Sequence, residues 1–148
     1  MSEKQVAIVT GGSRGVGAAT AKMLSENGWN VLITCSSSIA EAEKVAKKCS
    51  SKTAEVVALQ ADVAKDNDCK ATINMAVEKW GRIDALVNNA GTTKFAWDHS
   101  DLNSLDADDF QYIYGVNVVG PFQMVKAAKE HPGAIRTTTS NITICRQC

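Results

Sequence analysis

No charge of one sign dominates this sequence: sixteen Lys and Arg balance sixteen Asp and Glu over 148 residues. That balance argues against a nucleic-acid binder and against attachment to an anionic membrane surface. No apolar run approaches the roughly 18 residues that a membrane-spanning helix requires. The opening Met-Ser-Glu-Lys-Gln is too polar for a secretory signal, so a cytoplasmic location is expected. A disulfide framework is also missing. Cys35, Cys49, Cys69, Cys145 and Cys148 follow no regular spacing, and reduced thiols are the plain reading. Cys145 and Cys148 have the C-x-x-C form, but no second pair completes a zinc site and no βαβ start precedes them as in a thioredoxin-like motif. No metal is expected.

What is present suits one globular domain across residues 1–148, with 45% hydrophobic and 22% charged residues. Val6 to Val9 is a short apolar run of the kind buried on both faces of a parallel sheet. A glycine-rich turn follows, then a helix expected to bury a stripe of Val16, Ala19, Thr20, Met23, Leu24 and Asn27 and to stop at Asn27-Gly28. Val31 to Thr34 reads as a second strand. Ser38 and Glu41 have capping-box spacing before a helix with Ile39, Ala42, Ala46 and Cys49 on one face. Val56 to Leu59 is a third strand. A helix carrying Cys69, Ile73, Ala76, Val77 and Trp80 runs to Gly81, and Ile83 to Val87 is a fourth strand. Residues 92–105 read as a polar loop, Asp106 to about Glu130 as a helix with a disturbance, and Gly133 to Thr138 as a fifth strand. Strands alternating with amphipathic helices define an α/β class, a Rossmann-type doubly wound parallel sheet of about five strands with its ligand edge at the strand carboxyl ends.

The strongest local signal is Thr10-Gly11-Gly12-Ser13-Arg14-Gly15-Val16-Gly17 between the first strand and first helix. Glycines there let the backbone approach a pyrophosphate, and the helix start offers unpaired N–H groups and a positive dipole end. The end of the second strand bears on which dinucleotide fits. An NAD site places Asp or Glu there for the ribose hydroxyls; an NADP site replaces it with cations or hydroxyls. This chain has Thr34-Cys35-Ser36-Ser37-Ser38, without an acid. Arg14 has the guanidinium geometry for a 2′-phosphate, the plainer alternative being a solvated turn residue.

TGGSRGVG, then Asp62-Val63 after the third strand, Asn88-Asn89-Ala90-Gly91 after the fourth, and Asn117 in VNVVGPF occur in order. Together they resemble the short-chain dehydrogenase/reductase family over about residues 5 to 128, in its NADP-preferring branch, near glucose-dehydrogenase-like and 3-oxoacyl-reductase-like members. The resemblance implies that Gly11, Ser13, Arg14, Gly15, Val16 and Gly17 hold the pyrophosphate region; Ser36 and Ser37 are the hydroxyls at the second strand's end that an NADP site would use. It implies that Asp62 binds the adenine amino group and Val63 packs beside the ring. Asn89, Ala90 and Gly91 would line the ribose region while Asn88 braces the sheet. On its own, Asp62 reads rather as a strand-end cap; it is the ordered set of motifs that makes it a binding residue. Asn117 is a weak helix former, and Pro121 four residues on has no N–H for its carbonyl, so that carbonyl is free at a kink. In the family this Asn holds a water of a proton relay, and full-length members are commonly homo-oligomers.

Family chemistry also needs a Tyr with a Lys four residues on, and a Ser that polarises the substrate carbonyl. Tyr112 and Tyr114 are followed at that spacing by Val116 and Val118, and are expected to pack one helix face. Ser140 is the best match to the Ser, with an ordinary loop serine as the alternative. The expectation is the cofactor-binding half of an NADPH-dependent reductase acting on a small carbonyl or alcohol, incomplete as written. A non-catalytic NADP(H)-binding module or an inactive truncated product stays open.

Overall fold

The computed structural model describes residues 4–132 and the backbone of residues 135–143. Five parallel strands form one sheet in the order β3-β2-β1-β4-β5. They are β1 Val6–Val9, β2 Asn30–Cys35, β3 Val56–Gln60, β4 Ile83–Asn88 and β5 Ile135–Thr143. The helices are α1 Gly15–Glu26, α2 Ile39–Cys49, α3 Asp66–Trp80, α4 Ala107–Tyr114 and α5 Gly120–Glu130, with a 3-10 turn at Leu102–Ser104.

Every residue of β1 and β2 is buried, as uninterrupted apolar runs require. Alternate residues point to opposite faces. Ile8, Leu32 and Leu86 pack with Ile73 of α3 and Met124 of α5; Val9, Ile33 and Val87 pack with Ala21 of α1 and Ala42 of α2. Asp84 locks the lower end of the central strands: its carboxylate accepts from the Val6 N–H at 2.8 Å and from Arg82.

Two helices pack differently from their sequence pattern. Helix α1 buries Gly17, Ala21 and Ser25, while Val16 and Met23 of the expected stripe face solvent. Small residues win that face because they let the helix axis come close to the sheet. Helix α2 begins after Ser38, but no side-chain capping bond forms there; Glu41 pairs with Lys44 instead. The disturbance expected between Asp106 and Glu130 is a π-helical turn at Gly115–Val119, where the Gly120 N–H reaches back to Gly115 O. Pro121 follows at the start of α5. The fifth strand runs over Ile135–Thr143, later than Gly133 to Thr138, with a register irregularity between Ile83 and Ala85. The Cys145/Cys148 pair lies outside the described residues.

Candidate functional site

A cleft of about 340 Å³ opens at the carboxyl ends of the strands, where the order reverses between β1 and β4. Its floor is the glycine turn. The buried Thr10 hydroxyl donates to Val87 O at 3.4 Å and accepts from the N–H groups of Asn89 and Ala90, each at 3.0 Å. Asn89 completes the brace, its Nδ2 donating to Thr10 O at 2.9 Å and Gly11 O at 3.1 Å. Gly11 has φ +67°, and a Cβ there would stand 2.9 Å from Ala90 Cα. A Cβ on Gly17 would stand 2.4 Å from Gly11 O, so only glycine lets α1 start this close to the turn. Helix α1 has no side-chain cap and no acid in its first turn. Its first amides are therefore left without a side-chain acceptor or an acid of the same turn.

The walls come from the other strand ends. Gly11, Ser13 and Arg14 line the cleft with Ser36 and Ser37 after β2. Arg14, Ser36 and Ser37 are exposed, and Arg14 makes no ion pair among the described residues. Asp62 and Val63 line it after β3, and Asn89, Ala90 and Gly91 after β4. Asp62 is a turn cap as well as a lining residue: Oδ1 accepts from the Ala64 N–H at 3.0 Å, and its own N–H donates to Asp68 at 2.9 Å. Gly15, Val16 and Gly17 do not line the cleft: Gly17 is buried, and Gly15 and Val16 are exposed. Asn88 is buried at the end of β4.

Asn117 does not itself line the cleft. Its amide clamps Thr92, which does: Oδ1 accepts from the Thr92 N–H and Nδ2 donates to Thr92 O, both at 2.8 Å. Ser140 stands in β5 opposite Ala85, and its side chain lies outside the described residues.

Several lining residues carry no motif signal. Glu41 faces the cleft near Ser38, with the Lys44 ammonium 2.9 Å away holding its carboxyl below the usual range. Tyr112 and Val116 line it from the helix side. The expected packing of the tyrosines is corrected here: Tyr112 is 53% and Tyr114 58% exposed, because α4 buries none of its residues and the segment first enters the core at Val116, in the π-helical turn that follows. Among the described residues, no cluster of metal-ligating side chains occurs, and no helix is long and apolar enough to cross a membrane. Cys35, Cys49 and Cys69 are free thiols.

The model of the short chain dehydrogenase family matches residues 5–145. The chain belongs to the short-chain dehydrogenase/reductase family. It is 36% identical over 131 residues to an uncharacterized oxidoreductase of Methylorubrum extorquens, covering 88% of this chain and 51% of that protein. It is 36% identical over 141 residues to a 3-oxoacyl-(acyl-carrier-protein) reductase of Synechocystis, covering 92% of this chain and 56% of the other. A short chain dehydrogenase from Burkholderia cenocepacia, solved in complex with NADP, superposes with a TM-score of 0.77 at 36% identity, over 87% of this chain and 51% of that one. A 3-ketoacyl-(acyl-carrier-protein) reductase from Brucella melitensis, complexed with NADH, gives 0.74 at 34% identity, over 88% and 50%. The chain thus spans about half the length of the curated relatives it matches.

Proposed function

We propose that these residues are the cofactor-binding part of an oxidoreductase that takes NADP(H) in preference to NAD(H) and acts on a small carbonyl or alcohol. The observation that carries the reading is one cleft that holds the Arg14 cation and the Ser36 and Ser37 hydroxyls, with no Asp or Glu closing β2, next to the uncapped start of α1. Glu41, the acid that lines the cleft on that side, is charge-matched by Lys44. A relative bound to NADP and another bound to NADH support a nicotinamide cofactor in general.

The residues fit such a group. The floor at Gly11 has no room for a side chain, and the α1 amides supply donors for a pyrophosphate. Arg14 with Ser36 and Ser37 would hold a 2′-phosphate, and Asp62 would accept from the adenine amino group beside Val63. Asn89, Ala90 and Gly91 would line the ribose. When bound, the cofactor supplies the hydride chemistry. With the Asn117 amide committed to Thr92, the contribution left to that residue is its backbone carbonyl, where Pro121 offers no N–H and a water can be held for proton passage. Ser140, the sequence candidate for polarising the substrate carbonyl, is set back from the cleft edge: it pairs with Ala85, three residues before Thr143 meets Asn88 at the carboxyl end of β4.

Titration of the chain with NADPH and NADH, followed by tryptophan fluorescence or calorimetry, tests the reading. A charge-assisted hydrogen bond contributes about 1.5–3 kcal/mol, or roughly ten-fold or more in affinity. NADPH is expected to bind tighter by that factor, Arg14→Ala to remove it, and NADH to stay within about two-fold. Equal affinities, or an unaffected Arg14→Ala, would overturn the NADP preference; no binding of either nucleotide would overturn the reading as a whole.

A further inference from the structure

Tyr112 is an uncommon group to find on a cleft wall: a large ring, 53% exposed, with no hydrogen bond or ring contact among the described residues. Its place is set by Val116, four residues on and therefore on the same helix face. Val116 is buried in one core cluster with Val63. The segment on either side of it presses on the turn that follows β3. A Cβ on Gly120 would stand 2.7 Å from Val63 Cγ2, and one on Gly115 would stand 3.8 Å from the Ala64 Cβ. The face bearing Tyr112 therefore lies over residues 62–64, on the β2–β3 side of the cleft.

In a doubly wound sheet with a pyrophosphate on the first helix, the ribose of that nucleotide lies at the end of β2. Its base then continues toward β3. There the cleft offers an acceptor in Asp62, an apolar floor in Val63 and Val116, and the Tyr112 ring. We infer that Tyr112 stacks on the adenine face of the dinucleotide and is the outer wall of the base pocket. The inference rests on the reading of the cleft as a dinucleotide site. A base stacked on an aromatic ring loses about 1–3 kcal/mol when the ring is cut to alanine.

The experiment titrates the chain, Tyr112→Ala and Tyr112→Phe with NADPH, 2′,5′-ADP and reduced nicotinamide mononucleotide. Tyr112→Ala is expected to lose roughly ten-fold for the two adenine-bearing ligands and nothing for the mononucleotide. Tyr112→Phe keeps wild-type affinity, since stacking needs the ring and not the hydroxyl. In the unaltered chain, 2′,5′-ADP is expected to shift the Tyr112 ring protons upfield in the NMR spectrum, a readout that needs no variant. Wild-type binding of 2′,5′-ADP by Tyr112→Ala, a loss in Tyr112→Phe as large as in Tyr112→Ala, or unmoved ring resonances would each overturn the inference while the cleft reading stands. If the unaltered chain binds neither NADPH nor 2′,5′-ADP, both fall together.

Discussion

Helices α1 and α4 both begin or run beside the cleft, and their amino ends are finished in opposite ways. Helix α4 closes on itself: Asp106 Oδ1 accepts from the Asp109 N–H at 2.9 Å, and Asp109 Oδ2 accepts from the Asp106 N–H at 3.0 Å. Asp109 also pairs with Lys94, and Asp108 adds a second acid to the first turn. Helix α1 has none of this, neither a capping side chain nor an acid. A capping box stabilises a helix by using up its orphan donors and its dipole; an uncapped start gives up that stability and leaves both to a ligand. The difference separates a helix end built for the fold from one left open to an anion.

The largest test of this contrast is to crowd the open end. In Gly17→Ala the new methyl meets Gly11 O and Asn89 Nδ2, at 2.4 Å and 2.5 Å for ideal geometry. Overpacking of this kind costs roughly 1–3 kcal/mol, against about 1 kcal/mol returned by helix propensity. The expected outcome is a modest net loss in urea denaturation together with a loss of NADPH affinity above about ten-fold, because α1 must back away from the turn it serves. A variant that binds as tightly as the parent would show that the close approach has no bearing on the ligand. The matching change at the closed end is Asp106→Ala. Loss of a capping residue costs about 1 kcal/mol, visible in the same denaturation, with NADPH affinity unchanged.

How far the sequence reveals these features depends on the range of the interactions involved. Val6–Val9 and the Val31 to Thr34 stretch of β2 are evident because short runs this apolar have few other fates in a protein of this size. The disturbance in the helix before Glu130 is also evident, since Pro121 removes a donor wherever it sits. Periodicity is less informative for α1, where it favours bulky Val16 and Met23 while the sheet selects Gly17, Ala21 and Ser25. Spacing alone favours a box at Ser38 and Glu41, yet Lys44 takes Glu41 and the box forms at Asp106 and Asp109. Gly11, Ser13, Arg14 and Asp62 reach the cleft because each lies in the turn just past a strand end, while Gly15 to Gly17 of the same motif do not line it. Asn117 announces only half its part: the clamp on Thr92 joins residues 25 apart in sequence, and no local pattern encodes such a pairing. Tyr112 and Glu41 enter the cleft for the same tertiary reason.

The smallest effect distinguishes the two helix ends by acid alone. The Lys94 ammonium and the Asp106 backbone hold the Asp109 carboxyl below the usual Asp range. A group with a depressed folded pKa contributes stability that is present above its unfolded value, about 3.9 for Asp, and lost as pH falls through the folded value. Protonating Asp109 weakens its bonds to Lys94 and to the Asp106 N–H, which loosens the first turn of α4. Helix α1 has no acid in its first turn and so no such dependence. Site-resolved hydrogen exchange, corrected for intrinsic rates, is therefore expected to show protection at the Asp106 amide declining as pH drops below that ordinary value, while the first protected amide of α1, Ala18 bonded to Arg14 O, stays level. A parallel decline at both ends would mean that the whole sheet is yielding to acid, and the two helix starts would then share one stability rather than two.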